Sequence, residues 1–401
     1  MKEMFLLGAG ASVDAYIPDS YEMTERIVKG IANDGYLLRD VTNLLNFVIG
    51  GLLFQKGLRK EDPFGGVNIE DLFTTIELLS DRQNSELSPF VGSWHPFLQD
   101  IQRGTVSGYT SRNLLDEIYD PIRTTLNDFA RSMANQRNAH NQNRINPPFT
   151  NRFEREFSEA VNQVIYGDVK KVFSCAKKAM VTNLSKLTWV SDSSKVSYLV
   201  PLISHVAKTE GVIATLNYDN TIELACTLIN VEVDNGLESW SSTGEFDFQK
   251  NKLPLIKLHG SIDWSLSPGS TSKSRPLPYQ VIKQEDPMEM INESKTPEII
   301  FGGKNKLTAE GPFLDLLQVF ESSLDNSDKL TIIGYSFRDD HINEFISKWF
   351  NSDENRTIQI IDPDISNSKV GYVGNLLAND RKENVSTIAK KAIEAITVLY
   401  S

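Results

Sequence analysis

The sequence is poor in cysteine: its 401 residues include only Cys175 and Cys226, which lie far apart in the chain. Two cysteines cannot form the disulfide framework of a small secreted domain, and they cannot form a four-cysteine zinc site. The five histidines show no spacing typical of a metal-binding pair; they are His95, His140, His205, His259 and His341. We therefore expect no bound metal.

Long apolar runs are also missing. The longest apolar stretch, residues 44–54, is interrupted by Asn46 and by two glycines, and it is too short to span a bilayer. The N-terminal apolar run, Met4 to Leu7, is too short for a signal peptide and leads directly into a glycine turn. We expect a cytoplasmic protein that does not contact a membrane.

Basic residues are outnumbered by acidic ones. There are 41 lysines and arginines against 53 aspartates and glutamates, which gives a formal net charge of −12. A diffuse acidic surface disfavours binding to phosphate backbones, so nucleic acid is not expected as a direct ligand. With 40% apolar and 23% charged residues, the composition is that of a soluble globular protein, long enough for two cores or one enlarged α/β domain.

Six short aliphatic segments are predicted to be strands, and each ends in glycine or polar residues. They are residues 4–7, 211–216, 253–258, 298–301, 330–333 and 357–361. Apolar strands that alternate with helical patterns are typical of a parallel sheet covered on both faces. The predicted fold class is α/β, a Rossmann-like doubly wound parallel sheet of about six strands. In such sheets ligands bind beyond the carboxyl ends of the strands.

The first predicted helix, Tyr21 to Ala32, is not followed by a second strand. Helical periodicity dominates from residue 36 to residue 205. We therefore predict one α/β domain formed by residues 1–35 and 206–401, with a large helical insertion over residues 36–205. Ser265 to Thr296 has little periodicity and is predicted to be a long loop, serving as a lid, a partner-docking segment or a tolerated surface insertion.

A glycine turn, Gly8-Ala9-Gly10-Ala11-Ser12, follows the first predicted strand. A turn of this kind, opening a helix, can hold a phosphate, because glycine lets the backbone approach a ligand closely. The dinucleotide fingerprint of dehydrogenases has a third glycine where this chain has Val13, and no strand with a terminal acid follows about twenty residues later. Hydride transfer is therefore disfavoured. A turn used only for chain reversal is the alternative, and the rigid Pro18-Asp19 turn nearby favours a ligand loop.

Polar side chains follow two other predicted strands. Asn217 and Asp219 have a two-residue spacing, so both can face the same crevice; the alternative is an Asx-type turn that caps a helix beginning near Asn220. His259 precedes Gly260 at another strand end. A lone histidine is more often structural, but this one occupies the expected ligand edge of the sheet, and an imidazole can transfer protons near neutral pH.

Five short segments together carry a resemblance to a known family. They are GAGAS with IPDS, ATLNYD, KLHGS, IIGYSF and IIDPD, in this order from residue 5 to about residue 364. In this order they resemble the sirtuin-like NAD-binding domain, in the form found in bacterial antiphage-defence NADases. Two departures set the chain apart from protein-deacylating sirtuins: it lacks the paired cysteines of their zinc module, and Ser20-Tyr21 replaces their usual Phe-Arg.

The resemblance implies cleavage of the nicotinamide–ribose bond of NAD, with water as the final acceptor. It implies that Asn217, His259 and Asp219 act in catalysis. It also implies a set of NAD-binding residues, in which backbone N–H groups of the glycine turn cradle the diphosphate: Gly8, Ala9, Gly10, Ala11, Ser12, Asp19, Gly334, Ser336 and Asp362.

The same resemblance implies a role as an effector of abortive infection, activated by assembly into a homo-oligomer or by a partner. Relatives of this size operate beside an ATPase of the HerA type, and others pair with Argonaute-like proteins. The alternative function is a non-catalytic regulatory subunit that binds NAD or ADP-ribose; it would keep the glycine turn but would not need His259.

Overall fold

The computed structural model describes residues 2–33, 38–62, 64–82, 172–268, 279–288, 297–299, 312–365, 371–378 and 381–401. In these ranges the chain forms ten strands, which in chain order are β1 (Glu3–Leu7), β2 (Val212–Thr215), β3 (Val233–Asp234), β4 (Leu253–Lys257), β5 (Gly260–Pro268), β6 (Tyr279–Lys283), β7 (Pro297–Ile299), β8 (Lys329–Ile333), β9 (Thr357–Ile361) and β10 (Val385–Ile388).

The helices of the described ranges are α1 (Ser20–Asn33), α2 (Arg39–Leu58), α3 (Ile69–Ser80), α4 (Val200–Thr209), α5 (Thr221–Leu228), α6 (Leu237–Thr243), α7 (Phe313–Asp325), α8 (Asp340–Ser352), α9 (Gly371–Ala378) and α10 (Ala392–Tyr400). A further helical segment covers residues 172–188. The predicted helix from Tyr21 to Ala32 is confirmed as α1. None of the described helices is long and apolar enough to cross a bilayer.

Seven of these strands form one parallel sheet, in the order β10-β9-β8-β1-β2-β4-β3. β1 lies in the middle, where Leu7 stands opposite Thr215 of β2 on one side and Ile333 of β8 on the other. The predicted fold class, a doubly wound parallel α/β sheet, is confirmed.

Helices cover both faces of the sheet, and β1 is accordingly apolar at every buried position. Met4 and Leu6 point to one face and share a core with Phe320 of α7 and with residues of α8. Phe5 points to the other face, where its ring meets His205 of α4 at 6.1 Å and Tyr400 of α10 at 5.9 Å between centroids. A strand buried on both sides has no polar face, which is why its sequence is a continuous apolar run.

One predicted strand belongs to a different sheet. The segment predicted as residues 298–301 appears as β7, which pairs antiparallel with β5 in a three-stranded sheet of order β6-β5-β7. The predicted loop from Ser265 to Thr296 is also partly wrong, because β5 and β6 pair within it. Its residues 269–278 and 289–296 lie outside the described residues.

Two strands of the parallel sheet escaped prediction. β3 has only two residues, and β10 is an edge strand with the pattern Val-Ser-Thr-Ile, whose two central residues are exposed. Neither segment has the aliphatic run that marks a strand buried on both faces. The parallel sheet is therefore larger than the six predicted segments indicate.

The described chain divides into two compact units, one formed by residues 1–27, 64–74 and 180–401 and the other by residues 28–63 and 75–179. The predicted insertion, residues 36–205, overlaps the second unit, but its residues 83–171 lie outside the described part of the chain. The predicted domain boundaries at residues 35 and 205 stay a prediction.

The two cysteines provide a test of this fold. Cys226 is buried in α5, and burial raises the pKa of its thiol to about 12, whereas Cys175 is exposed. Because the thiolate is the reactive form, a raised pKa keeps Cys226 protonated and unreactive at neutral pH. We expect a thiol reagent to label one cysteine of the native protein and both cysteines in denaturant.

The Cys175→Ser variant is the control for this experiment, and labelling is followed by absorbance and intact mass. It should take up no label until denaturant is added. Rapid labelling of native Cys175→Ser would show that Cys226 is not buried.

Candidate functional site

The carboxyl ends of the central strands form a crevice beside β1. From β1 the sheet continues to β2, β4 and β3 on one side and to β8, β9 and β10 on the other. Ligands of open α/β sheets bind at such a point of divergence. A pocket of about 530 Å³ lies there, lined by the segments that follow β1, β2, β4, β8 and β9 and by residues 68–71.

The glycine turn after β1 packs directly against the backbone that follows β8. The Gly8 N–H donates to the Ile333 carbonyl and the Gly10 N–H to the Gly334 carbonyl, each at 2.9 Å. A Cβ at Gly8 would lie 2.6 Å from the Gly334 oxygen. Gly334 itself has φ +62°, and a Cβ there would overlap the Ala11 nitrogen. These glycines therefore allow two loops to touch through their backbones.

This packing bears on the expected phosphate cradle, which stays a prediction. The N–H groups of Gly8 and Gly10 donate to the loop after β8, the Ala11 N–H donates to the Gly8 carbonyl and the Ser12 N–H to the Ala9 carbonyl. Ala11 is buried behind the pocket wall, where its carbonyl accepts a hydrogen bond from Tyr198. The Ala9 N–H forms no hydrogen bond with the described residues, so one of the five N–H groups of the turn is left for a ligand.

Asn217 fastens the glycine turn to the end of β2. Its amide nitrogen donates to the Gly8 carbonyl and to the Ser12 hydroxyl, both at 2.9 Å. The carbonyl of Gly8 can only accept, so this contact assigns the nitrogen of the amide. The Asn217 oxygen accepts no bond from the described residues, and the residue lines the pocket. Asn217 therefore presents an acceptor to a ligand and uses its donors for the fold.

Asp219 makes the Asx-type turn that the sequence left open as an alternative. Its Oδ1 accepts from the Thr221 N–H at 3.0 Å and from the Thr221 hydroxyl at 2.7 Å, at the start of α5. Burial raises the pKa of this carboxyl, against the opposing effect of these hydrogen bonds and of Lys257. The Lys257 ammonium is fully buried and donates to the Asp219 carbonyl at 2.6 Å and to Glu223 at 2.9 Å. The turn after β2 is thus anchored to β4.

His259 is buried at the end of β4, with 5% of its surface exposed. Its Nε2 lies 3.1 Å from Oδ2 of Asp339. Its Nδ1 has no hydrogen-bond partner among the described residues, and the nearest carboxylate oxygen, Oε1 of Glu70, is 4.0 Å away. A carboxylate accepts and does not donate, so Asp339 assigns the ring proton to Nε2 and leaves a lone pair on Nδ1.

Asp339 is itself held by the start of α8. It is the N-cap of that helix, and its Oδ1 accepts from the His341 N–H at 3.2 Å. The Asp339 N–H donates at 3.2 Å to the Tyr335 hydroxyl, which in turn donates to Asn343 at 3.1 Å. The loop from Gly334 to Asp339 therefore connects the glycine contact with the partner of the histidine.

Three other expected binding residues also line the pocket. Asp19 is the N-cap of α1 and accepts from the N–H groups of Tyr21 and Glu22 at 2.9 Å. Ser336 is exposed at the rim. Asp362 lies at the end of β9, where burial raises the pKa of its carboxyl. No group of three or more metal-binding side chains occurs in the described ranges, and the expectation of no metal stays a prediction.

Comparison with known families gives one domain match. The family described as "SIR2-like domain" matches residues 211–388. This part of the chain is similar to the SIR2-like domain family. The matched range starts just before β2 and ends with β10, so it includes Asn217, Asp219, His259 and Asp339 and leaves out the glycine turn and Glu70.

Three solved structures are similar to this chain at low identity. Sir2 in complex with the inhibitor EX-527, 2′-O-acetyl-ADP-ribose and a deacetylated p53 peptide is 12% identical, and the match covers 51% of this chain and 69% of that one with a TM-score of 0.31. Sir2Tm bound to a propionylated peptide is 10% identical, and the match covers 99% of this chain and 91% of that one with a TM-score of 0.36. A Sir2 histidine-to-tyrosine mutant with a p53 peptide and NAD is 13% identical, and the match covers 51% of this chain and 68% of that one with a TM-score of 0.31. No curated protein matches the sequence.

Among the pocket residues that were not singled out from the sequence, three charged ones contribute to the site: Glu70, Arg338 and Asp339. The Arg338 guanidinium lies over the Tyr21 ring at 4.7 Å from its centroid. Tyr21 and Arg338 both line the pocket, so a cation from the loop after β8 reaches the start of α1. Asp339 had a usable signal, an acidic N-cap before an amphipathic helix. Glu70 is an acid in the first turn of a helix, a common pattern that does not by itself indicate a site.

The glycine contact predicts a large difference between two glycine-to-alanine substitutions. Gly244 has φ +87° and no atom within 4 Å of an added Cβ, so Gly244→Ala should cost about 1 kcal/mol of stability through its backbone conformation alone. Gly334→Ala adds overlap with Gly10 and Ala11, so its loss should be at least about twice as large. Urea unfolding measures both free energies, and equal losses would show that the loops do not touch.

Proposed function

We propose that this protein hydrolyses NAD, cleaving the bond between nicotinamide and ribose to give nicotinamide and ADP-ribose. The observation that carries the proposal is His259, a buried histidine whose Nδ1 is left without a partner at the strand-end pocket. The SIR2-like domain match supports the choice of NAD as the substrate. The pocket volume, about 530 Å³, is within the usual range for small-molecule sites, about 300–1,000 Å³.

In this reaction the bond from ribose C1′ to the nicotinamide nitrogen breaks, and its electron pair leaves with neutral nicotinamide. The oxygen of water forms the new bond to C1′, and one proton of that water is released. His259 takes a proton at Nδ1, from the water or from a ribose hydroxyl, because Asp339 keeps the other ring nitrogen protonated. Asp339 acts through the histidine, so it is a positioning residue.

Asn217 is proposed to hold the ribose or the attacking water through its side-chain oxygen, which is free while its nitrogen holds the glycine turn. Asp219 is proposed to orient the neighbouring polar groups, since its carboxylate is bonded to Thr221 and its carbonyl to Lys257. Fixed dipoles in a pocket that excludes water stabilise the positive charge that develops on the ribose.

The remaining proposed contacts with NAD are made by residues that line the same pocket. The Ala9 N–H and the Arg338 guanidinium are proposed to contact the diphosphate, with Gly8, Gly10 and Ser12 shaping the turn behind it. Ser336 is placed near the phosphates, Asp19 near nicotinamide and Asp362 near the adenosine ribose. These assignments apply the family resemblance to residues that line one pocket.

The biological role we propose is that of a cytoplasmic effector of abortive infection, which depletes the cell of NAD when it is activated. Activation by homo-oligomerisation or by a partner, either a HerA-type ATPase or an Argonaute-like protein, is part of the proposal and comes from the sequence resemblance alone. An activity of this kind is harmful when permanent, which is why control by assembly is expected.

Substitution of the two central side chains tests the chemistry. Asn217→Ala and His259→Ala should each lower the rate of nicotinamide release by about 100-fold or more, the usual scale for a positioned acid–base group. Product formation is followed by chromatography with purified protein, alone and with a candidate partner.

The matched control is His341→Ala, because this histidine lies on α8 and its side chain is not part of the pocket wall. It should retain wild-type turnover. Near-wild-type turnover in both Asn217→Ala and His259→Ala would refute the assignment. Binding of NAD by calorimetry without nicotinamide release would indicate a regulatory NAD-binding module instead.

A further inference from the structure

One carboxylate of the pocket comes from outside the SIR2-like match. Glu70 lies in the first turn of α3, and Asn68 fixes the start of this helix by accepting from the Glu70 N–H at 2.8 Å. The Glu70 side chain is about three-quarters buried, with 25% of its surface exposed, and it lines the same pocket as His259. Its carboxylate is also hydrogen-bonded to Tyr218, which follows β2.

Glu70 and His259 present two acceptors side by side. Oε1 of Glu70 is 4.0 Å from Nδ1 of His259, which is too far for a direct hydrogen bond. Nδ1 carries a lone pair because Asp339 holds the proton on Nε2, and an ionised carboxylate also only accepts. A buried Nδ1 without a donor is costly unless a ligand supplies one, and the Glu70 carboxylate beside it can accept a further donor in addition to Tyr218.

We propose that Glu70 and His259 together bind the vicinal diol of the ribose that carries the leaving group. Each hydroxyl of a vicinal diol offers one O–H, so adjacent hydroxyls match two adjacent acceptors. Both residues line a pocket of about 530 Å³, which is larger than a water-sized void and can admit a ligand that supplies the donors. The site therefore selects ribonucleotides with an intact diol over deoxy analogues.

The pairing also has a consequence for the rate. A carboxylate that accepts a hydrogen bond from a ribose hydroxyl increases the negative charge on that oxygen, next to the carbon that becomes positive. Hydrogen bonds to the hydroxyl beside the reacting carbon strengthen in the transition state of glycoside cleavage. Loss of Glu70 should therefore lower kcat more than it raises KM.

This inference takes its ligand class from the proposed function, and a binding measurement tests it independently of turnover. ADP-ribose keeps the diol, whereas ADP lacks that ribose altogether. For the full chain in calorimetry, Glu70→Gln should weaken ADP-ribose binding about tenfold or more, the usual scale for a hydrogen bond to a charged group, and leave ADP binding unchanged. Equal effects on both ligands, or none on either, would overturn the inference.

A kinetic cycle provides the second readout. Wild type and Glu70→Gln are compared on NAD and on NAD analogues that lack the 2′- or the 3′-hydroxyl of the nicotinamide ribose. The wild type should discriminate against both analogues, and Glu70→Gln should lose the discrimination for one of them, so that the two changes are not additive. If Glu70→Gln discriminates against both analogues as strongly as the wild type does, Glu70 does not contact the diol and the inference is overturned.

Glu77→Gln is the matched control, because Glu77 lies on the same helix, outside the pocket, and faces Lys177 at 3.6 Å. It should behave as wild type in both experiments. If Glu70→Gln does not fold, Tyr218→Phe removes the hydroxyl that holds Glu70, and it should weaken ADP-ribose binding in the same direction. Selective loss of ADP-ribose binding in a protein that releases no nicotinamide would support the diol contact and refute NAD hydrolysis.

Discussion

The backbone contact between the loops after β1 and β8 is the constraint on which the pocket depends. Gly10 and Gly334 touch through a single hydrogen bond, and an added Cβ on either residue would meet the other loop. On one side of this contact Asn217 joins the turn to β2, and on the other the chain from Gly334 leads to Asp339 and so to His259. The positions of the proposed catalytic side chains therefore depend on two loops whose backbones touch at glycine residues.

The sequence predicted the parallel sheet because its buried strands have no polar face. β1, with Met4 and Phe5 on opposite faces, reads as an apolar run for that reason. The two-residue β3 and the half-exposed β10 have no such run, and they join the sheet through neighbours that are distant in sequence. β7 was recognised as a strand but assigned to the wrong sheet, since its partner β5 is set by tertiary folding.

The site was predictable only as far as strand ends could be located. Asn217 and His259 come directly after strands, so their convergence followed from the parallel sheet. Their partners did not, because a hydrogen bond between His259 and Asp339 joins residues 80 positions apart. The glycines were read as a surface for phosphate, and most of their N–H groups are used within the protein. A sequence pattern identifies such residues without distinguishing a ligand contact from a loop contact.

The internal hydrogen bonds of the glycine turn have a consequence for how the activity of the protein could be controlled. Hydrogen bonds within one chain hold Asn217 to the glycine turn and His259 to Asp339, and side chains fixed in this way lose little conformational entropy when a ligand binds. If the protein hydrolyses NAD, a partner that controls entry to or exit from the mouth of the pocket would leave these hydrogen bonds unchanged.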